Sequence, residues 1–418
     1  MESASINRIK LPSLPTLGLA DRLAKKTVLG LCNKIQCGHL TIEDGERIYS
    51  FGEPLAGSSI SAHITVHDQR AYKDFMLHGT IGSAESYMNR CWSSPNLLAV
   101  IRLMVKNIEW LNKLDGDRPW LSRILMNIGH SFNNNSVTGS KKNIAAHYDL
   151  GNDFFRLFLD PTMMYSAAIF PAEDASLEEA SIKKLDTICQ KLKLNENDHL
   201  LEIGTGWGGM AIYAAQNYGC KVTTTTISQE QYEYAKQQVS DLGLESQVTL
   251  LLKDYRDLEG SYDKIVSIEM IEAVGHQFYQ SYFSICNNLL KPDGLMLIQA
   301  ITIADQRYES AKSSVDFIKK YIFPGGCLPS NEVIASSVRQ YTNMQIIDLH
   351  DITDHYARTL SHWYQAFIDN LSHVRQQGFD DVFCRMWEFY LNYCEGGFRE
   401  RVISTSQLVF AKPGYRFN

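Results

Sequence analysis

The 418 residues carry 47 acidic and 40 basic side chains, a formal net charge of −7, and 44% of them are hydrophobic, with 27 glycines and 11 prolines. That balance excludes fibrous and disordered classes and is enough for one large domain plus a smaller one. It also excludes general polyanion binding, and with no basic stripe interleaved with aromatics nucleic acid is not an expected partner.

The opening residues MESASINRIKLPSLPTLGL hold no apolar run of signal-peptide length, and no stretch approaches the roughly 20 apolar residues of a spanning helix. The nine cysteines are scattered from Cys32 to Cys394 without a CxxC pair, which reads as small buried hydrophobes in a reducing, cytoplasmic compartment. In DRLAKKTVLGLCNKI, the residues Leu23, Val28, Leu31 and Ile35 fall on one helical face with Arg22, Lys25, Lys26 and Lys34 around it. Two readings stand: a helix lying on anionic lipid, or a surface helix packing its stripe on its own domain. HLTIEDGERIYSF reads as a hairpin turning at Glu43-Asp44-Gly45, and SAHITVHD alternates with a period of two. Helical segments follow to Asn107, and the polar HSFNNNSVTGSKKN then reads as a linker. The expected division is a smaller α+β domain over 1–130, a linker over 131–143 and a main domain over 144–418.

Beyond the linker strands alternate with helices. The expected strands are 199–204, 221–226, 248–254, 264–269, 295–301, 344–349 and 407–412, a pattern for a doubly wound, Rossmann-like α/β domain on a mostly parallel seven-stranded sheet. Two additions interrupt it, at Asp305–Pro329 and along the helical stretch His355–Phe398.

LLEIGTGWGG, from Leu200 to Gly209, is a strand running into a glycine loop that opens a helix. The glycines allow a tight turn and close backbone approach to a ligand. A dinucleotide site expects an acid about 20 residues on for the ribose hydroxyls, where this chain has Thr223–Thr226 and Ser228. The carboxylate of Glu202 at the strand end suits the ammonium of a methionine moiety, so S-adenosylmethionine is the expected ligand and methyl transfer the expected chemistry.

KKNIAAHYDLGNDFFRLFLDPTMMYSAAIF, LLEIGTGWGGMAIYAA, TTTISQEQYEYA, LLKDYRDL, YDKIVSIEMIEAVG, KKYIFPGGCLPS and YCEGGFRERVISTSQLVF closely resemble the cyclopropane-fatty-acyl-phospholipid synthase family, from about Lys141 to Lys412. The resemblance implies a class I methyltransferase fold, a smaller lipid-presenting N-terminal domain, and a peripheral position on the inner face of the membrane, on a phospholipid surface. It also suggests a homodimer. The implied activity is transfer of the S-adenosylmethionine methyl to the double bond of an unsaturated acyl chain, forming a cyclopropane. Implied cofactor residues are Tyr165 and Ser166 for the methionine carboxylate, then Gly204, Gly206, Thr226 and Gln231, with Asp254 and Tyr255 near the adenine.

The family's usual proton acceptor is a bound bicarbonate, and the positions implied to surround it read Ala167, Glu272, Gln299, Ile301 and Tyr364 here. Glu272, Ile301 and Tyr364 fit, whereas Ala167 and Gln299 replace a Cys and a His, which puts the bicarbonate site in doubt. Relocated proton removal would give a methylene- or methyl-branched chain instead. Glu272, with Glu269 beside it, also reads as part of a solvated acidic face, Tyr364 as a core aromatic, and His147 as a residue fixing the loop over the cofactor. His276, His355 and His362 have no metal-ligand spacing. Tyr321, Ile322 and Phe323 before Pro324-Gly325-Gly326 read either as an acyl-tunnel lining or as an ordinary buried loop. A methyltransferase for a soluble small molecule and a non-catalytic lipid- or nucleotide-binding protein remain as alternatives.

Overall fold

The computed structural model describes residues 18–53, 60–107 and 150–416, so the linker and His147 lie outside the described residues. The smaller lobe contains α1 (Leu19–Cys32), β1 (His39–Asp44), β2 (Arg47–Phe51), β3 (Ser61–Val66), α2 (Arg70–Met88), β4 (Trp92–Ser93) and α3 (Leu97–Lys106). Its sheet runs β2-β1-β3-β4, with β1 antiparallel to β2 and parallel to β3. The hairpin turns one residue later than expected, because Asp44 still pairs with Arg47. The Asp44 carboxylate is buried, accepts the Tyr72 hydroxyl at 2.9 Å and meets the Lys25 ammonium at 2.5 Å. That ion pair turns Lys25 inward, so α1 buries Ala24, Val28 and Cys32 and leaves Leu23 60% exposed. The apolar stripe read from sequence is thus rotated by part of a turn, and the helix packs on α2 of its own lobe.

The larger lobe is built on β5 (His199–Ile203), β6 (Lys221–Thr226), β7 (Val248–Leu252), β8 (Tyr262–Ile268), β9 (Leu290–Ile303), β10 (Gln345–Asp351) and β11 (Ile403–Ala411). They form one sheet in the order β10-β11-β9-β8-β5-β6-β7, parallel except for β11, which is antiparallel to both neighbours. The main helices around it are α4 (Leu177–Lys191), α5 (Gly209–Tyr218), α6 (Gln229–Asp241), α7 (Tyr279–Leu289), α8 (Asn331–Tyr341), α9 (Thr353–Asp369) and α10 (Asp381–Arg399). All seven expected strands share this sheet, and β9 and β11 start earlier than their patterns indicated, at Leu290 and Ile403. Threonines at 223–226 suit the pleated surface of β6, and Ser176 with Glu179 closes a capping box that starts α4.

The first addition is a set of short helical turns at Asp305–Arg307, Tyr308–Lys312 and Ile318–Ile322; the second is α9 and α10 with a short helix, Leu371–Gln376, between them. The helix α10 packs against α9 and against α2 and α3 of the smaller lobe. Arg385 Nε donates to the Tyr87 carbonyl at 2.7 Å, and the Tyr87 and Phe389 rings lie 5.9 Å apart. A Cβ on Gly396 would stand 2.6 Å from Ile101 Cγ2, so only glycine lets α3 approach that closely. Lys320 and Tyr321 of the first addition both reach Glu85 of α2, and Ile322 is buried.

Candidate active site

Ligands in open α/β sheets bind beyond the carboxyl ends of the parallel strands, and the expected site residues fall there. After β5 the chain turns sharply because Gly204 and Thr205 both donate their N–H to the Thr225 carbonyl at 3.0 Å. Gly204, Gly206 and Gly208 have φ of 101°, 53° and 94°, values that disfavour any side chain. Among the described residues a Cβ on Gly206 would meet no atom within 4 Å, so none of them fills the outer side of the loop. Trp207 points inward instead: its Nε1 donates to Asn152 Oδ1 at 2.6 Å and its ring lies 4.9 Å from Phe155.

At the end of β6, Thr226 Oγ1 donates to Gln231 Oε1 at 3.0 Å and accepts the Ser228 N–H at 3.1 Å, so the two residues expected there do meet. Other expected residues are turned differently. Glu202 is only 2% exposed and accepts the Thr224 hydroxyl at 2.6 Å, which ties its carboxylate to β6. Burial pushes its pKa up to about 8, against the pull of Thr224 and Lys184. The Ser166 hydroxyl is likewise buried and accepts from Lys184 Nζ at 3.0 Å. The Asp254 carboxylate is taken by the Arg256 fork at 2.8 and 2.9 Å, and Tyr255 packs on Tyr282, so their side chains shape the third strand's loop from inside. The Tyr165 hydroxyl lies 2.8 Å from that of Tyr390.

Two carboxylates follow β8. Ile301 donates its N–H to Glu272 Oε1, bringing those two expected residues together, while Glu272 Oε2 is shielded and has no hydrogen-bond partner among the described residues. Burial first, then the charge of Glu269, raises the Glu272 pKa to about 8. Glu269 accepts the Ala167 N–H at 2.9 Å and Gln299 Nε2 at 2.8 Å on Oε1, and the Tyr356 hydroxyl at 2.8 Å on Oε2. Burial raises its pKa as well, opposed by those hydrogen bonds and by Lys184. Gln299 is fully buried; Gln407 donates to its Oε1 at 3.0 Å, which leaves its NH2 for Glu269 and the Ala167 carbonyl.

Tyr364 does not join this group. Its hydroxyl lies 3.5 Å from Glu388, while Tyr356, two turns earlier on α9, reaches Glu269. The buried stripe of that helix runs Tyr356, Leu360, Trp363, Phe367, a helical spacing that was legible in the sequence and leaves Tyr364 off it. Glu269 was passed over as surface charge, and Lys184, fully buried with its pKa lowered to about 8 by burial, gave no motif at all. An aromatic wall joins the two halves of the site. From Trp207 it passes to Phe155, then Tyr165 at 5.3 Å, Trp363 at 5.1 Å and Tyr356 at 6.1 Å.

A family model described as mycolic acid cyclopropane synthetase matches residues 135–408. The chain belongs to that family. It is 39% identical to the tuberculostearic acid methyltransferase UfaA1 of Mycobacterium tuberculosis over 81% of this chain and 80% of that protein. It is 37% identical to the cyclopropane-fatty-acyl-phospholipid synthase of Escherichia coli K12, over 85% of this chain and 89% of that one. Its fold matches the crystal structure of the mycolic acid cyclopropane synthase CmaA1 complexed with SAH and CTAB. The TM-score is 0.61 at 33% identity, over 65% of this chain and 98% of that one. The protein is therefore a class I methyltransferase that uses S-adenosylmethionine, and the open outer face of the glycine loop suits that ligand.

Proposed function

We propose that this methyltransferase acts on lipid acyl chains, transferring the methyl group to the double bond of an unsaturated chain in a membrane phospholipid, with ring closure to a cyclopropane. The observation that carries it is the carboxylate pair Glu269–Glu272 placed beside an aromatic wall that runs back to the cofactor loop. An alkene is a weak nucleophile, so the site must exclude water, align the reactants and tolerate a carbocation before a proton leaves. Bound S-adenosylmethionine supplies an electrophilic methyl group. Of the residues here, Tyr165, Gly204, Gly206, Thr226 and Gln231 would hold it. Aromatic faces such as those of Tyr165 and Trp363 exclude water and favour positive charge, and a carboxylate takes the proton. The name of the E. coli relative supports the phospholipid. Among the described residues no helix is long and apolar enough to cross a membrane; the reading is of an enzyme working at the lipid surface, with the smaller lobe presenting the lipid.

A second product, a methylene-branched chain, is favoured by one observation: Ala167 and Gln299 spend their donors on Glu269, a proton acceptor built unlike the one the family resemblance implied. Incubating the protein with methyl-labelled S-adenosylmethionine and vesicles of monounsaturated phosphatidylglycerol, then identifying the labelled fatty acid, separates these. The cyclopropane gains one CH2 and loses its alkene; the branched product gains the same mass and keeps an alkene. Label confined to soluble small molecules would sink both.

A further inference from the structure

The bicarbonate implied by the family resemblance needs donors; those at positions 167 and 299 can be traced, and so can Tyr356, which stands here where the resemblance implied Tyr364. They all end on one side chain. Ala167 N–H, Gln299 Nε2 and Tyr356 OH converge on the Glu269 carboxylate at 2.9, 2.8 and 2.8 Å. A carboxylate presents the same planar O–C–O edge as bicarbonate. A free anion would have to break three hydrogen bonds and sit against like charge, so the residues present do not fit one.

We propose that Glu269 is the proton acceptor of this enzyme, a carboxylate carried by the chain itself in the place of an exchangeable anion, so that turnover needs no bicarbonate. The proposal rests on the acyl-alkene reading above. Two further observations support it. Glu269 has φ of 50°, a left-handed conformation that is strained for a residue with a side chain. Its own N–H, donated to the Gln299 carbonyl at 2.7 Å, helps hold it there. Such strain concentrates at functional positions. Glu272 stands next to it, its Oε2 without a hydrogen-bond partner among the described residues. Two neighbouring carboxylates resist carrying two charges, and three donors with Lys184 nearby place the charge on Glu269.

The step balances without a redox partner. The alkene π pair forms the new carbon–carbon bond to the methyl carbon as the carbon–sulfur pair withdraws onto sulfur. Glu269 then takes a proton from the transferred methyl, and the freed C–H pair closes the ring. If a hydride shift comes first, the same pair forms an exocyclic alkene. A saturated branch would need a two-electron reductant and is not part of this proposal.

The test uses the full chain, S-adenosylmethionine and monounsaturated phosphatidylglycerol vesicles, in buffers stripped of carbon dioxide or supplied with bicarbonate. Wild-type turnover is expected to be equal in both. Glu269→Gly, which also relieves the backbone, and Glu269→Gln, which keeps the shape, should each lose about 10²–10⁴-fold in turnover. S-adenosylmethionine affinity by calorimetry should stay nearly constant. Bicarbonate should restore part of the Gly variant's rate and none of the Gln variant's. In a separate arm, ¹³C-bicarbonate observed by NMR should bind the Gly variant and not the wild type. Bicarbonate dependence of the wild type, its binding of the labelled anion, or full activity of both variants overturns the proposal. Wild-type protein that excludes bicarbonate yet leaves lipid unlabelled overturns the acceptor role through the acyl reading, while displacement of the anion stands.

Discussion

Alanine at Gly209 would put a methyl carbon 2.7 Å from the Thr162 carbonyl oxygen and 2.8 Å from Met164 Sδ. The thioether can swing aside, but the carbonyl is backbone, and a comfortable carbon–oxygen contact is about 3.3 Å or more. The Thr162–Met164 strand of chain must therefore retreat by roughly half an ångström in a close-packed interior. Overpacking of this kind costs about 1–3 kcal/mol, and the better helix propensity of alanine returns less than about 1 kcal/mol. The expected net loss is about 1–2 kcal/mol in urea unfolding. Because the displaced segment leads straight into Tyr165, affinity for S-adenosylmethionine should also fall by about tenfold, the scale of effect that sub-ångström misplacement produces. Gly30→Ala in α1 is the control: nothing lies within 4 Å of its Cβ, and removing chain entropy there should stabilise by about 0.4–1 kcal/mol. Unchanged stability and affinity for Gly209→Ala would refute the steric reasoning, as would an equal loss at Gly30.

Tyr356→Phe removes a hydrogen bond to a charged acceptor and should lower kcat by roughly tenfold to a hundredfold, whereas Tyr364→Phe should leave it within about twofold; steady-state release of S-adenosylhomocysteine ranks the two. Glu272 has a folded pKa raised to about 8 from 4.5, so the folded state binds the extra proton between those values. Its contribution to stability is whole below about pH 4.5 and drains as pH rises through 8. Glu272→Gln should therefore flatten the fall of Tm with pH across that window, and a slope matching wild type would count against the shift. Arg256→Ala strands the buried Asp254 carboxylate and strips the cover from Tyr255, so a loss of about 3 kcal/mol is expected in chemical denaturation.

Period-2 and period-3.6 patterns sufficed for the sheet, since most strands of the larger lobe are β-branched or apolar runs separated by helical segments. Where the sequence misled, a charge had overridden the pattern. Lys25 turned α1 to reach Asp44, and Asp44 itself stayed in its strand instead of entering the turn. The glycine loop was legible in its own residues, and the pairs Thr226 with Gln231 and Ile301 with Glu272, implied by the family resemblance, meet because adjacent residues or neighbouring strands fix them. The burial of Glu202 and Ser166 was not legible, because it depends on Lys184, a partner with no motif around it. The choice between Tyr356 and Tyr364 follows from the stripe Tyr356, Leu360, Trp363, Phe367, whose spacing the sequence carries. The convergence on Glu269 required three segments, at 167, 299 and 356, to meet in space.

Helix α10 serves as a shared wall between the lobes, with Tyr87, Trp92 and Ile101 leaning on Arg385, Phe389 and Gly396. Some members of the family match only 68% of this chain while spanning their whole length. Trimming this enzyme to that size would lay bare an oily seam, and Gly396 would become a notch with nothing in it. A minimal version would need that seam rewritten with polar residues before it stayed monodisperse, so the smaller lobe cannot be shed as a detachable appendage.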